Sequence, residues 1–239
     1  MLNWGNYFQT DRNEVQMVVM VEAEKCVVVL SGGIDSTTAA YWAKKQGYRV
    51  NAITFKYGQI ATREVEHASR IAQELGIPIE VIDLSTLKKI FVGVTALCDE
   101  KMPMVSEFNP LLIVPFRNAI FLSIAVAYAL SINANKVFYG AQGSDEPFYP
   151  DCRREFYKEF EHAAALGTGR KITIEAPFNT ITKSEVIKIG AKLGVPYHLT
   201  WSCYLNGSHH CGKCESCINR KKAFAEAGIQ DPTKYANEP

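Results

Sequence analysis

The run Cys26-Val27-Val28-Val29-Leu30-Ser31-Gly32-Gly33-Ile34-Asp35-Ser36-Thr37-Thr38-Ala39-Ala40 decides the fold. Its first five residues are apolar and rich in valine, which suits a buried strand. The residues from Thr37 to Ala43 suit a helix. The run therefore reads as strand, glycine turn and helix N-terminus. Two adjacent glycines let the backbone turn sharply and leave no Cβ to block a close ligand. The first amides of a helix lack an intrahelical partner, and with the helix dipole they make a site for an anion. Hydroxyls from Ser31, Ser36, Thr37 and Thr38 crowd the same spot, a donor density that suits a pyrophosphate. The spacing is neither G-x-x-x-x-G-K-[ST] nor G-x-G-x-x-G, so neither a Walker A loop nor a dinucleotide fingerprint is present.

Outward from this turn the chain alternates strands with helices. Strands are expected at 49–55, 79–84, 136–140 and 172–176, and helices at 61–75, 119–132, 155–166 and 183–194. Gly167-Thr168-Gly169 is expected to break the third of these helices. Thr182-Lys183-Ser184-Glu185 reads as a capping box opening the fourth. The alternation predicts an α/β fold with a doubly wound parallel sheet of about five strands. In such sheets ligands bind at the carboxyl ends of the strands, where residues 31–36 lie. Residues 92–110 are irregular, and a loop of that length is functional or mobile. The expected organisation is an N-terminal extension over 1–24, a ligand-binding α/β domain over 25–200, and a cysteine-bearing region over 201–239 packed on the same domain.

The 239 residues carry a formal net charge of +1, so no broad attraction to nucleic acid or anionic membrane is expected. The most apolar stretch, 119–132, is too short to span a bilayer, and the N-terminus lacks a signal pattern. Seven cysteines, four of them late in the chain, suit a reducing, cytoplasmic setting and a metal rather than a disulfide frame. Cys203, Cys211, Cys214 and Cys217 form C-x7-C-x2-C-x2-C. Four thiolates on tight turns suit one structural zinc per chain, with His209 or His210 able to replace one ligand. An iron–sulfur cluster is the rival, although the ferredoxin run needs a fourth cysteine three residues on, and Ile218-Asn219-Arg220 stands there. Cys26 and Cys98 read as packing or surface thiols.

Ser31-Gly32-Gly33-x-Asp35-Ser36 resembles the signature of the ATP pyrophosphatases, enzymes that cleave ATP between its α and β phosphates and adenylate a substrate. Further pieces are Val114-Pro115-Phe116-Arg117-Asn118, Tyr149-Pro150-Asp151-Cys152-Arg153, and Thr200-Trp201-Ser202-Cys203 with the later cysteines and Arg220-Lys221. Together, in this order, they resemble the 7-cyano-7-deazaguanine synthase family from about Lys25 to Tyr235. The resemblance implies that 7-carboxy-7-deazaguanine, ammonia and two ATP give the 7-cyano base through an acyl adenylate and an amide. It implies a homodimer, and Mg²⁺ bound with ATP. It places Leu30, Ser31, Gly32, Gly33, Ile34, Asp35, Ser36, Thr37 and Thr38 on the nucleotide. Arg117, Asn118, Tyr149, Asp151 and Lys183 fall to the substrate and the chemistry. In this reading Arg117 pairs with phosphate or the substrate carboxylate, or with a neighbour at a helix start. Asp151 accepts from a guanine-like edge, or caps the helix that begins near Arg153. Tyr149 and Phe148 stack on the base or pack locally, and Lys183 meets a phosphate or stays solvated. Cys152 lines the pocket, because adenylate chemistry needs no nucleophile.

Three rivals keep the loop. A tRNA thiolase needs a basic RNA surface, and the cluster Lys213, Arg220, Lys221 and Lys222 reads as a solvated helix face instead. A variant of the same family stops at the amide, or passes the acyl group to another amine. A non-catalytic nucleotide-binding module leaves residues 149–153 and the cysteines without a purpose. No glutaminase segment is visible, so ammonia is expected from solution or from a partner.

Overall fold

A computed structural model describes residues 23–236, so residues 1–22 of the expected extension lie outside the described residues. Strands β1 (Lys25–Val29), β2 (Arg49–Lys56), β3 (Ile79–Asp83), β4 (Lys136–Phe138) and β5 (Thr173–Glu175) form one sheet in the order β3-β2-β1-β4-β5. Every pairing is parallel, with Val27 opposite Asn51 on one side and Val137 on the other. The alternation of strand and helix forces right-handed crossovers that cover both faces. Helices α1 (Ile34–Lys45) and α2 (Arg63–Leu75) pack over Cys26, Val28, Val50 and Ala52. Helix α3 (Lys88–Phe91) is a single turn. Helices α4 (Arg117–Ser131) and α5 (Arg154–Thr168) pack over Val27, Ile53, Val137 and Ile174. Alternate residues of β1 thus feed opposite layers, as the strand period of two demands. Helices α6 (Lys183–Lys192) and α7 (Glu215–Ala227) pack on each other, and α6 on α1, around Ile34, Ile187, Tyr197 and Phe224.

Three details refine the sequence-based expectation. Helix α5 does not break at Gly167 but continues to Thr168 and ends at Gly169, which takes the left-handed φ of 63° that a C-terminal cap requires. Within the irregular stretch 92–110, residues 95–98 are buried, with Thr95 Oγ1 donating to Leu111 O at 2.8 Å, while Val92 and Val94 stay exposed. The segment Pro110–Ser131 is, by length and composition, long enough and apolar enough to cross a membrane. In the fold it divides into a 3₁₀ turn (Pro110–Leu112) and α4, which buries Leu122, Val126 and Ala129 against the sheet.

Candidate active site

The turn after β1 lies where the strand order reverses, between β1 and β4, the position at which open α/β sheets bind ligands. Its two glycines do different work. Gly32 sits at φ +85°, and a Cβ there would lie 2.6 Å from Glu64 O and 2.9 Å from Ala68 N, so the loop rests directly on α2. Gly33 is extended at φ −80°, ψ 172°, and a Cβ there would meet only Ser31 Oγ at 3.5 Å and Trp201 O at 3.8 Å, an ordinary contact. The fold itself therefore leaves room for a side chain at Gly33. Thr37 N donates to Gly33 O at 3.1 Å, which leaves the amides of Ile34, Asp35 and Ser36 as the unclosed helix start. Ser31 and Ser36 hydroxyls sit 2.9 Å apart. Behind the loop, Gly140 at the end of β4 lets α1 approach so closely that a Cβ there would stand 2.6 Å from Ser36 N.

One cavity brings together Leu30, Ser31, Gly33, Ile34, Asp35 and Ser36 with Arg117, Asn118 and Lys183. These are nine of the fourteen residues that the sequence pointed to for nucleotide and substrate. Gly32 lies behind the loop, against α2. Thr37 Oγ1 donates to Gly33 O at 2.6 Å and Thr38 Oγ1 to Ile34 O at 2.8 Å, so both hydroxyls are bonded to helix carbonyls. Asp151 Oδ2 accepts from Asn118 N at 3.0 Å and so caps α4 from a distance, rather than the nearby α5. Tyr149 packs edge-on to Phe108 with centroids 5.6 Å apart, and Phe108 also meets Phe148. Neither Asp151 nor Tyr149 lines the cavity. Cys152 does, and burial, with the charges of Asp145 and Asp151, pushes its thiol up, which disfavours the thiolate.

Two charged groupings divide the cavity. Towards β4, Lys183 Nζ donates to Asp35 Oδ2 at 2.9 Å, so Lys183 is not a solvated lysine. Burial works against its charge, but Asp35 and Asp145 hold its pKa above the ordinary lysine value. Asp145 is pushed up to about 6, first by burial and then by the Asp35 charge, against the pull of Lys183. Asp35 Oδ1 is buried without a hydrogen-bond partner. Towards β2, Arg117 Nη1 donates to Tyr57 OH at 3.2 Å. Phe116, the residue just before α4, adopts the left-handed φ of 57°, strain of the kind concentrated at functional sites. Glu64 lines the same side, and its carboxyl is pushed up to about 7, chiefly by burial. Tyr57, Glu64, Asp145 and Tyr204 were not singled out by sequence reasoning. Tyr57 and Asp145 stood only in loops at strand ends, and Glu64 only in the first turn of a helix.

The four cysteines converge, their sulfurs all within 4.8 Å of one another. Tetrahedral bonds of about 2.3 Å to one ion would set the sulfurs roughly 3.8 Å apart, and Cys211 and Cys217 Sγ are 3.9 Å apart. Amides of Leu205 and Cys211 point at Cys203 Sγ, and those of Lys213 and Cys214 at Cys211 Sγ, donors that suit thiolates. Neither histidine is needed, because His210 Nε2 accepts from Ser202 N at 2.9 Å and His209 Nδ1 meets Ser208 Oγ. The cysteine region also braces the cavity. Trp201 N donates to Gly32 O at 2.9 Å, and Asn206 Oδ1 accepts from Arg63 N at the start of α2. Ser202, Tyr204 and Ser216 reach the cavity wall.

The expected basic helix face is corrected by α7. Arg220 is fully buried, with Nε and Nη2 on Asp231, Nη1 on Thr200 and Ser202 hydroxyls, and Nη2 also on Tyr197 O. Its partner Asp231 lies beyond the helix, so the charge turns inward. Lys221 lies 4.0 Å above the Tyr235 ring, and only Lys213 and Lys222 of the four are exposed.

Known proteins resemble this chain over most of its length. A family model described as "Queuosine biosynthesis protein QueC" matches residues 25–228. A 7-cyano-7-deazaguanine synthase from Caldicellulosiruptor saccharolyticus is 41% identical over 217 residues, spanning 90% of this chain and 96% of that one. Another, from Oceanobacillus iheyensis, is 44% identical over 219 residues, spanning 89% and 98%. Among solved structures, the NMN synthetase from Francisella tularensis shares the fold with a TM-score of 0.52 at 19% identity, over 87% of this chain and 79% of that chain. With a family match over most of its length and relatives above 40% identity, the chain belongs to the QueC family of queuosine biosynthesis proteins.

Proposed function

We propose that this chain uses ATP and ammonia to convert 7-carboxy-7-deazaguanine into 7-cyano-7-deazaguanine. One observation carries the reading: a single cavity holds an unclosed helix N-terminus, Lys183 and Arg117. A carboxylate is a poor electrophile, so its oxygen must first become a leaving group. Residues 31–36 are placed to take the β and γ phosphates, with Lys183 beside them, so that the substrate oxygen meets the α-phosphorus. Arg117, in the same cavity, suits the acid's carboxylate. Ammonia then displaces AMP to give the amide, and a second adenylation on the amide oxygen permits loss of AMP to the nitrile. The protein's contribution is chiefly position and charge.

Two carboxylates, Asp35 and Asp145, share one lysine, and Asp35 Oδ1 is buried and unpartnered. That surplus of negative charge suits Mg²⁺ arriving with ATP, which would offset the phosphate charge. For the cysteines we favour one zinc per chain, because thiolates this close fit a single ion better than the wider spacing of an iron–sulfur cluster. A homodimer in the cytoplasm belongs to the same family reading. The test is incubation with ATP, Mg²⁺, ammonium and the carboxy base, followed by mass spectrometry. Nitrile is expected. Amide as the final product, or pyrophosphate release only when tRNA is present, would refute the reading.

A further inference from the structure

Three carboxylates line the cavity: Asp35, Asp145 and Glu64. The first two are engaged with Lys183. Glu64 stands apart, on the first turn of α2. Its own carbonyl lies where a Cβ on Gly32 would clash, so this turn leans on the phosphate loop. Arg117 lines the same cavity and its charge acts on Glu64, as do the neighbouring groups Gln59, Tyr57, Cys98 and Cys203. On the function proposed above, which this inference extends, Arg117 marks the acyl carbon and the loop marks the β and γ phosphates, so the acyl phosphate lies between them. Glu64 therefore flanks the gap in which the carbon–nitrogen bond forms.

We infer that Glu64 is a catalytic residue of the amine half of the reaction, accepting the protons that the incoming nitrogen must shed. In the first half, the C–N bond forms and the C–O bond to AMP breaks, its electron pair leaving on the AMP oxygen. The nitrogen, now carrying one proton too many, loses it to the Glu64 carboxylate. In the second half, the amide oxygen is adenylated with release of pyrophosphate. Two N–H protons then leave in turn as the C–O bond breaks and the nitrile forms. After each transfer the Glu64 carboxyl returns its proton to solvent. Ammonia is mostly ammonium at neutral pH, so a carboxylate beside it also helps deliver the free base. A carboxyl pushed up to about 7 by burial is suited to taking and releasing a proton there.

The test compares the whole wild-type chain with Glu64→Gln, which keeps the shape and removes the base. Two half-reactions are read separately: the pyrophosphate burst with the carboxy base and no ammonium, and amide formation with ammonium. The variant is expected to keep its burst within about threefold of wild type while amide formation falls about 100-fold or more. Hydroxylamine, an amine already unprotonated at neutral pH, should restore acyl transfer to near the wild-type rate. An ATP-dependent rise in unfolding temperature shows that the variant is folded and binds nucleotide. If the Gln variant does not fold, Glu64→Asp takes its place, with the burst kept and a smaller loss of amide expected. Amide formation at the wild-type rate overturns the inference, and so does a burst lost in step with it. A wild-type chain that shows no burst overturns the parent reading, and the inference with it.

Discussion

Alanine at Gly32 and alanine at Gly33 should have opposite effects, because the two glycines are bare for different reasons. At Gly32 an alanine must hold φ +85°, which costs about 1–2 kcal/mol for an L-residue. Its Cβ must also displace Glu64 O from 2.6 Å and Ala68 N from 2.9 Å. Both are backbone atoms, and overpacking of that kind costs about 1–3 kcal/mol. The total of about 2–5 kcal/mol should lower the unfolding midpoint by about 4–20 °C in a chain of this size. At Gly33 the backbone is extended, and the nearest atoms to a new Cβ are at 3.5 and 3.8 Å. Stability should change by less than about 1 kcal/mol, and restriction of the unfolded chain can make the change favourable. The methyl group would nevertheless stand over the helix start, where a phosphate needs to approach. Gly33→Ala should therefore melt like the wild type and lose ATP turnover by about 100-fold or more. Differential scanning calorimetry and a pyrophosphate-release assay on the same preparations check both halves. A Gly33→Ala chain that turns over ATP within twofold of wild type would refute the assignment of this loop to the phosphates.

Asp231→Asn should destabilise the chain by about 3–5 kcal/mol, since it leaves the buried Arg220 charge uncompensated; urea titration at constant metal saturation measures it. Burial alone would raise the Asp231 carboxyl, but Arg220 with Tyr235 and Thr233 holds it below its ordinary value. Its stabilisation is therefore complete above the unfolded carboxylate range, near pH 4, and is lost as pH falls through the lower folded value. The wild-type urea midpoint should drop over that window more steeply than that of the Asn variant. Lys183→Met should keep the fold and cut AMP release by about 100-fold or more. With Lys183 gone, Asp145 should titrate above its present value of about 6, moving the acid limb of the rate profile to higher pH. Elemental analysis should find one zinc per chain in a colourless protein. Stripping that ion should weaken ATP binding, because Trp201 and Asn206 tie the cysteine region to Gly32 and α2.

The legible parts of the chain were those whose physics is local. The strand, turn and helix around residues 26–43 follow from neighbouring residues, and the capping box at Thr182 is present, with Glu185 and Thr182 bonded reciprocally. The cysteine spacing likewise announces its own turns. Where contacts span the chain, local reading stops. Asp151 sits beside one helix but caps another, through Asn118, 33 positions away in sequence. Arg220 carries the pattern of a surface helix, and nothing nearby announces that Asp231 and the 197–202 segment enclose it. Glu64 and Asp145 lie in unremarkable polar surroundings, and only the convergence of β2, α2, β4 and α6 gives them a cavity in common.

In the proposed reaction the phosphate loop directs attack to the α-phosphorus, and every later step depends on that. Phosphorus NMR of a reaction containing ATP, Mg²⁺, ammonium and 7-carboxy-7-deazaguanine reads it directly. AMP and pyrophosphate should accumulate at two of each per nitrile formed. ADP and orthophosphate as the nucleotide products would contradict it.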